Sequence, residues 1–194
     1  MKKVDNALTA LVLEQPFFAV LALRLKVEET KDYPTFATDG KSLKVNPDFL
    51  KELSPSEVVT VLCHEVLHCA LGHHWRIPSG ADFNVWNIAT DNEVNWTLEE
   101  YNMLKTGVKP FPWPKCGKVL EPRFKGMAAE KIYNILSKEQ QKQQEQDKQQ
   151  GKGTGQGKQG APQGQTPSMG EVIPVPIDDK AEAKQEWDKA VIQA

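Results

Sequence analysis

The stretch SPSEVVTVLCHEVLHCALGHH, residues 54–74, decides how this chain is read. It opens as a helix start: Ser54 at the N-cap, Pro55 at the first helical position, and Glu57 three residues after the cap, the spacing of a capping box. Behind the start, Val58, Val59, Val61, Leu62, Val66, Leu67, Ala70 and Leu71 leave the helix apolar on nearly every side. Such a helix is buried, and polar groups set among its apolar ones need partners inside the protein. Those polar groups are His64, Glu65 and His68, in a run that holds all four histidines of the chain.

Successive residues of an α-helix advance by ~100°, so histidines four apart stack on one face, one turn from each other. His64 and His68 can therefore aim two imidazole nitrogens at a single ion. Glu65, beside the first, reaches the ion's open position, where a carboxylate can take a proton from a metal-activated water and pass it to a leaving amine. The pattern HExxH thus points to Zn2+, with His64 and His68 as ligands and Glu65 as the catalytic general base. The competing reading, ordinary polar residues on an amphipathic helix, leaves three buried groups unexplained at ~1–3 kcal/mol each.

A catalytic zinc site takes a third protein ligand. His74 is one candidate, because HExxHxxGxxH is a known zinc pattern; here the glycine position is Leu71, and Gly72 comes one residue late. If the helix continued, His74 would lie ~9 Å beyond His68 along the axis and on another face. A second helical run, FNVWNIATDNEVNWTLEE (83–100), offers Asp91, with Asn95 one turn later to hydrogen-bond a ligand histidine's outer nitrogen or hold the carboxylate in place. Glu93 lies ~200° around the helix from Asp91, so the two cannot both face the ion. Asp91 is the preferred ligand, with His74 and Glu93 as alternatives.

The flanking sequence reads as α+β. Residues 1–24 carry helical apolar spacing broken at Pro16, LRLKVEE alternates in part, and Asp39-Gly40 sits between the short alternating runs 35–38 and 42–45. That dipeptide signals a hairpin with a type I′ turn. Placed just before the histidine helix, the hairpin can present an edge strand to which a peptide adds as a further strand. After a Pro-rich loop (Pro110, Pro112, Pro114), GMAAEKIYNILSK reads as one more helix. Residues 138–172 are rich in Gln, Gly and Lys with almost nothing apolar, the composition of a disordered linker, and 173–194 start a helical region that the chain end cuts short.

Bulk properties narrow the function. With 24 Lys and Arg against 26 Asp and Glu, no basic field exists to hold nucleic acid or an anionic membrane, and no apolar run approaches the ~20 residues of a membrane span. Cys63, Cys69 and Cys116 form no CxxC pair, and an odd count argues for a reducing, cytoplasmic setting. Trp75, Trp86, Trp96 and Trp113 are assigned to packing. The expected partner is a peptide or protein substrate. A non-catalytic, zinc-stabilised adaptor module is the alternative function.

The runs PTFATDGKSLKVNPDFLKELSPSEVVTVLCHEVLHCALGHH (34–74), WNIATDNEVN (86–95) and FKGMAAEKIYNIL (124–136) resemble the HExxH metallopeptidase domain of bacterial and phage proteins, often found ahead of a von Willebrand factor A-like domain. The resemblance spans about residues 5–137. It implies a compact zincin-like fold: N-terminal helices, a small hairpin or sheet, an HExxH helix and a second ligand-bearing helix, then a disordered linker. It also implies zinc on His64, His68 and Asp91, Glu65 as base, and a von Willebrand factor A-like module as the following partner domain. One departure stands out: thermolysin-like zincins have Glu as third ligand and Asp a turn later, whereas this chain has Asp91 and Asn95, so the shorter side chain requires the second helix to come closer.

Overall fold

The computed structural model describes residues 1–104, 110–115, 118–149 and 170–194. The N-terminal run divides at its proline into α1 (Lys2–Glu14) and α2 (Pro16–Ala22), with Pro16 in the first turn of α2, where the missing N–H has no helical partner to lose. Val4, Ala7 and Leu11 of α1 and Phe18, Leu21 and Ala22 of α2 turn inward. Strand β1 (Lys26–Glu29) follows, then the hairpin of β2 (Phe36–Thr38) and β3 (Ser42–Val45), antiparallel in the register Phe36↔Val45, Ala37↔Lys44, Thr38↔Leu43.

The hairpin stands where the sequence places it, but its turn is not type I′. Gly40 has φ +82°, whereas Asp39 keeps a negative φ and uses its side chain instead. Its Oδ1 accepts from the backbone N–H groups of Lys41 (2.8 Å) and Ser42 (2.6 Å). An aspartate that closes the turn through its carboxylate has no need of the left-handed conformation.

The short helix α3 (Pro47–Glu52), which the sequence reading did not anticipate, is capped by Asn46 through the N–H groups of Asp48 and Phe49. Helix α4 (Pro55–Ala70) then starts on the expected capping box: Glu57 N–H donates to Ser54 Oγ, and Ser54 N–H donates to Glu57 Oε2 at 2.7 Å. It is the central element, touching α1, α2, β2, helix α5 (Phe83–Leu104) and the C-terminal segments. That explains its apolar residues on all sides, and from Thr60 to Cys69 every residue is buried. Past the end of α4, Gly72 takes φ +75°; its N–H bonds to Cys69 O and the N–H of His73 to His68 O, a Schellman motif. The chain therefore doubles back after His68 rather than extending the helix.

Helix α6 (Ala129–Gln149) packs along α5, with Ala89, Phe124 and Ile132 forming a second small core. Two findings differ from the sequence reading of the C-terminal third. The Gln- and Lys-rich run continues α6 as far as Gln149, because Gln, Lys and Glu are good helix formers that extend a helix already packed at its start. Strand β4 (Gly170–Val172), assigned by sequence to the linker, joins the sheet parallel to β2, giving the order β1-β3-β2-β4. Residues 150–169 of the expected linker, like Cys116, lie outside the described residues. Helix α7 (Lys180–Gln193) buries Trp187 and Ala190 in the main core, so residues beyond 137 complete the same body. Among the described residues, no helix is long and apolar enough to cross a membrane.

Gly72 tests the turn that ends α4. A Cβ there would adopt a left-handed backbone and meet the Trp75 indole nitrogen at 2.7 Å. Gly72→Ala is expected to lower the unfolding free energy by about 1–2 kcal/mol from the backbone alone, more if the indole cannot shift, as read by urea denaturation.

Candidate metal centre

Helix α4 supplies His64 and His68 on one face, and α5 crosses it with Asp91 toward them. The two Nε2 atoms stand 2.9 Å apart, and Asp91 Oδ1 lies 3.5 Å from His64 Nε2 and 3.3 Å from His68 Nε2. All three side chains are buried, and they form a group able to hold a metal ion. Donors sharing a tetrahedral zinc at ~2.0–2.2 Å sit roughly 3.3–3.6 Å from each other. Both histidine–aspartate separations match this spacing, and a small ring rotation brings the two nitrogens to it.

The outer nitrogens decide which ring atoms face the ion. His64 Nδ1 lies 3.0 Å from Asn95 Oδ1, while Asn95 Nδ2 donates to Val119 O at 2.8 Å, which fixes the amide so that its oxygen faces the ring. His64 Nδ1 must donate, leaving the lone pair of the neutral ring on Nε2. For His68 the chain is one link longer. His68 Nδ1 is 2.9 Å from His73 Nδ1, and His73 Nε2 is 3.1 Å from Glu93 Oε2. The carboxylate can only accept, so His73 donates from Nε2 and accepts on Nδ1, and His68 donates from Nδ1. Again the lone pair falls on Nε2.

Two imidazole lone pairs and a carboxylate oxygen thus converge in a site sealed from water, with no proton assigned between them. Such a cluster calls for a cation. The ionisation of its members agrees: burial, reinforced by the neighbouring His64, brings His68 down to about 3. Burial pushes Asp91 up, but the two imidazoles that face it outweigh burial, and the carboxyl ends well below its ordinary range. Neutral imidazole and ionised carboxylate are the forms that ligate.

Glu65 is wholly buried, and among the described residues neither carboxylate oxygen has a hydrogen-bond partner. Burial, then the charges of Asp91 and Glu171, raises its pKa well above the usual carboxylate range. An orphaned carboxyl beside three convergent ligand atoms fits a site built for a metal ion and its reacting partner.

The remaining candidates are placed elsewhere. His74 is not in the cluster: its Nδ1 bonds to Ile173 O at 2.9 Å and its Nε2 faces Cys69 Sγ at 3.5 Å, because the Gly72 turn has swung it away from α4. Glu93 accepts from His73 and from the Ala129 N–H at 2.8 Å, on the side of α5 turned from Asp91. Cys63 and Cys69 are buried and unbridged. Sequence reasoning missed His73. Only the reversal at Gly72 brings it against His68, and a lone histidine beside another carries no spacing signal.

A family model described as a putative metallopeptidase domain matches residues 1–194. Comparison with curated proteins and with solved structures returned no match.

The buried histidines set a pH dependence. Their unfolded pKa is near 6.5; folded, burial brings His68 to about 3, His74 to about 4, and His73 well below its ordinary value. With folded values depressed, the unfolded state binds protons first, so stability present above pH 6.5 is lost as pH falls toward 4. Denaturation of the metal-free protein across that window should show a steady decline, and a flat profile would contradict neutral burial. Separately, a divalent metal ion held by this group should raise the melting temperature of the wild-type chain, and Asp91→Ala should abolish that rise while remaining folded.

Proposed function

We propose that this chain, which belongs to the metallopeptidase domain family whose model it matches from end to end, is a zinc-dependent peptidase with Glu65 as its general base. The observation that carries the reading is the convergence of bare Nε2 lone pairs from His64 and His68 with Asp91 Oδ1, next to a carboxyl that has no partner of its own.

Zinc bound by His64, His68 and Asp91 would supply a Lewis acid that polarises a carbonyl and acidifies water. The chain's own groups do the rest. Asn95 and His73 hold the two rings in the ligating tautomer and orientation, so the site is ready before anything binds. Glu65, one residue from His64 on a rigid helix, accepts the proton of the attacking water and returns it to the leaving amine. His64, Glu65, His68 and Asp91 are all buried, and the exclusion of bulk water strengthens each of these interactions.

The test pairs metal analysis with cleavage of a diverse peptide library. Wild-type protein should carry stoichiometric zinc and cut peptides. Glu65→Gln should keep the zinc and lose roughly 10²-fold or more of the rate, the usual worth of general acid–base catalysis. Unchanged cellular function in that variant, with zinc retained, would favour an adaptor module held together by its metal. Iron in place of zinc would overturn the assignment, because two histidines and one carboxylate also suit ferrous iron.

A further inference from the structure

The β2 edge beside Glu65 is where an extended peptide would lie, and the chain itself occupies it. β4 pairs with β2 in the parallel register Phe36↔Gly170, Ala37↔Glu171, Thr38↔Val172. The segment that follows is tied down on both sides. Ile173 N–H donates to Thr38 O at 2.8 Å, His74 Nδ1 donates to Ile173 O at 2.9 Å, and Val175 N–H donates to His74 O at 3.2 Å. Val172 and Val175 are buried, and Trp187 of α7 anchors the end of the strap by donating from Nε1 to Gly40 O at 2.8 Å.

The contact with Glu65 is the informative one. A Cβ built on Gly170 would lie 1.6 Å from Glu65 Oε1 and 2.6 Å from its Cδ. The glycine backbone therefore sits directly against the carboxylate, and any side chain at this position would require the Glu65 carboxylate to move aside. The consequence is that the general base is sealed: Glu65 has no exposed surface, so neither water nor a substrate carbonyl reaches it while β4 is in place.

The geometry points to β4 and the strap behind it as a resident peptide in the substrate groove, which keeps the site latent until an extended peptide substrate displaces it. This rests on the peptidase reading for its substrate class. The occlusion itself rests only on the strand pairing and the Gly170–Glu65 contact. The recognition is main-chain hydrogen bonding along β2, so the occupants it favours are extended segments with a glycine at the position facing Glu65.

Two variants move the strand in opposite directions. Gly170→Val forces a side chain into the Glu65 carboxylate and should expel β4. Ala37→Cys with Glu171→Cys places thiols on neighbouring, registered positions, and their disulfide should lock β4 down until it is reduced. The readouts are hydrogen exchange of residues 36–39 in the metal-free protein, the rate of zinc removal by a chelator, and cleavage of a quenched peptide.

Gly170→Val should speed exchange and zinc removal at least tenfold. The oxidised double variant should slow both at least tenfold, with recovery on reduction. If all forms exchange and release zinc at one rate, or if the oxidised lock cleaves peptide as fast as the reduced form, β4 is not an occluding strand. If Gly170→Val unfolds, the reversible lock alone decides. Access that opens and closes as expected with no cleavage in any form supports the resident strand and refutes the peptidase reading instead.

Discussion

The structure depends on one electrostatic constraint: two imidazole lone pairs and a carboxylate are held within 3.5 Å of each other in a volume sealed from water. Left to itself, that arrangement repels. It is maintained because each ligand is fixed from behind, His64 by Asn95, His68 by His73 and Glu93, and because α4 and α5 are packed into the core with few alternatives. Burying such a cluster forfeits stability that the surrounding apolar contacts must offset. The compensation is a site whose affinity for a cation is built in before the cation arrives.

The same logic accounts for the choice of Asp91 and Asn95. A short carboxylate reaches both histidines only if α5 crosses close to α4. Asn95 then serves the ring of His64 with its oxygen and the loop at Val119 with its amide nitrogen. An amide at this position can fix a tautomer without adding a second charge to an already acidic pocket.

The turn at Gly72 settles the fate of two histidines at once. By reversing the chain immediately after α4, it carries His74 to the strap at residues 173–175 and sets His73 against the outer nitrogen of His68. A glycine one position earlier and a longer continuation would have made a different ligand set from nearly the same residues. The latency inferred for β4 follows from the same reversal, since His74 is one of the groups that pins the strap over the site.

The sequence by itself determined what is local and periodic. The capping box, the wholly apolar α4, the i,i+4 histidines with their glutamate, the division at Pro16, the hairpin at Asp39-Gly40 and the Asp91–Asn95 pair all rest on spacings a helix or strand enforces over a few residues. The tertiary structure alone decided what depends on segments far apart in sequence: that Asp91 rather than His74 or Glu93 meets the two histidines, that His73 supports His68, and that Gly170 lies on Glu65. Parallel pairing of β4 with β2 joins residues more than a hundred positions apart, and a three-residue strand in a polar, glycine-rich setting carries no pattern to announce it. Its place beside the buried Glu65 carboxylate rests on a close approach that the missing side chain of Gly170 allows.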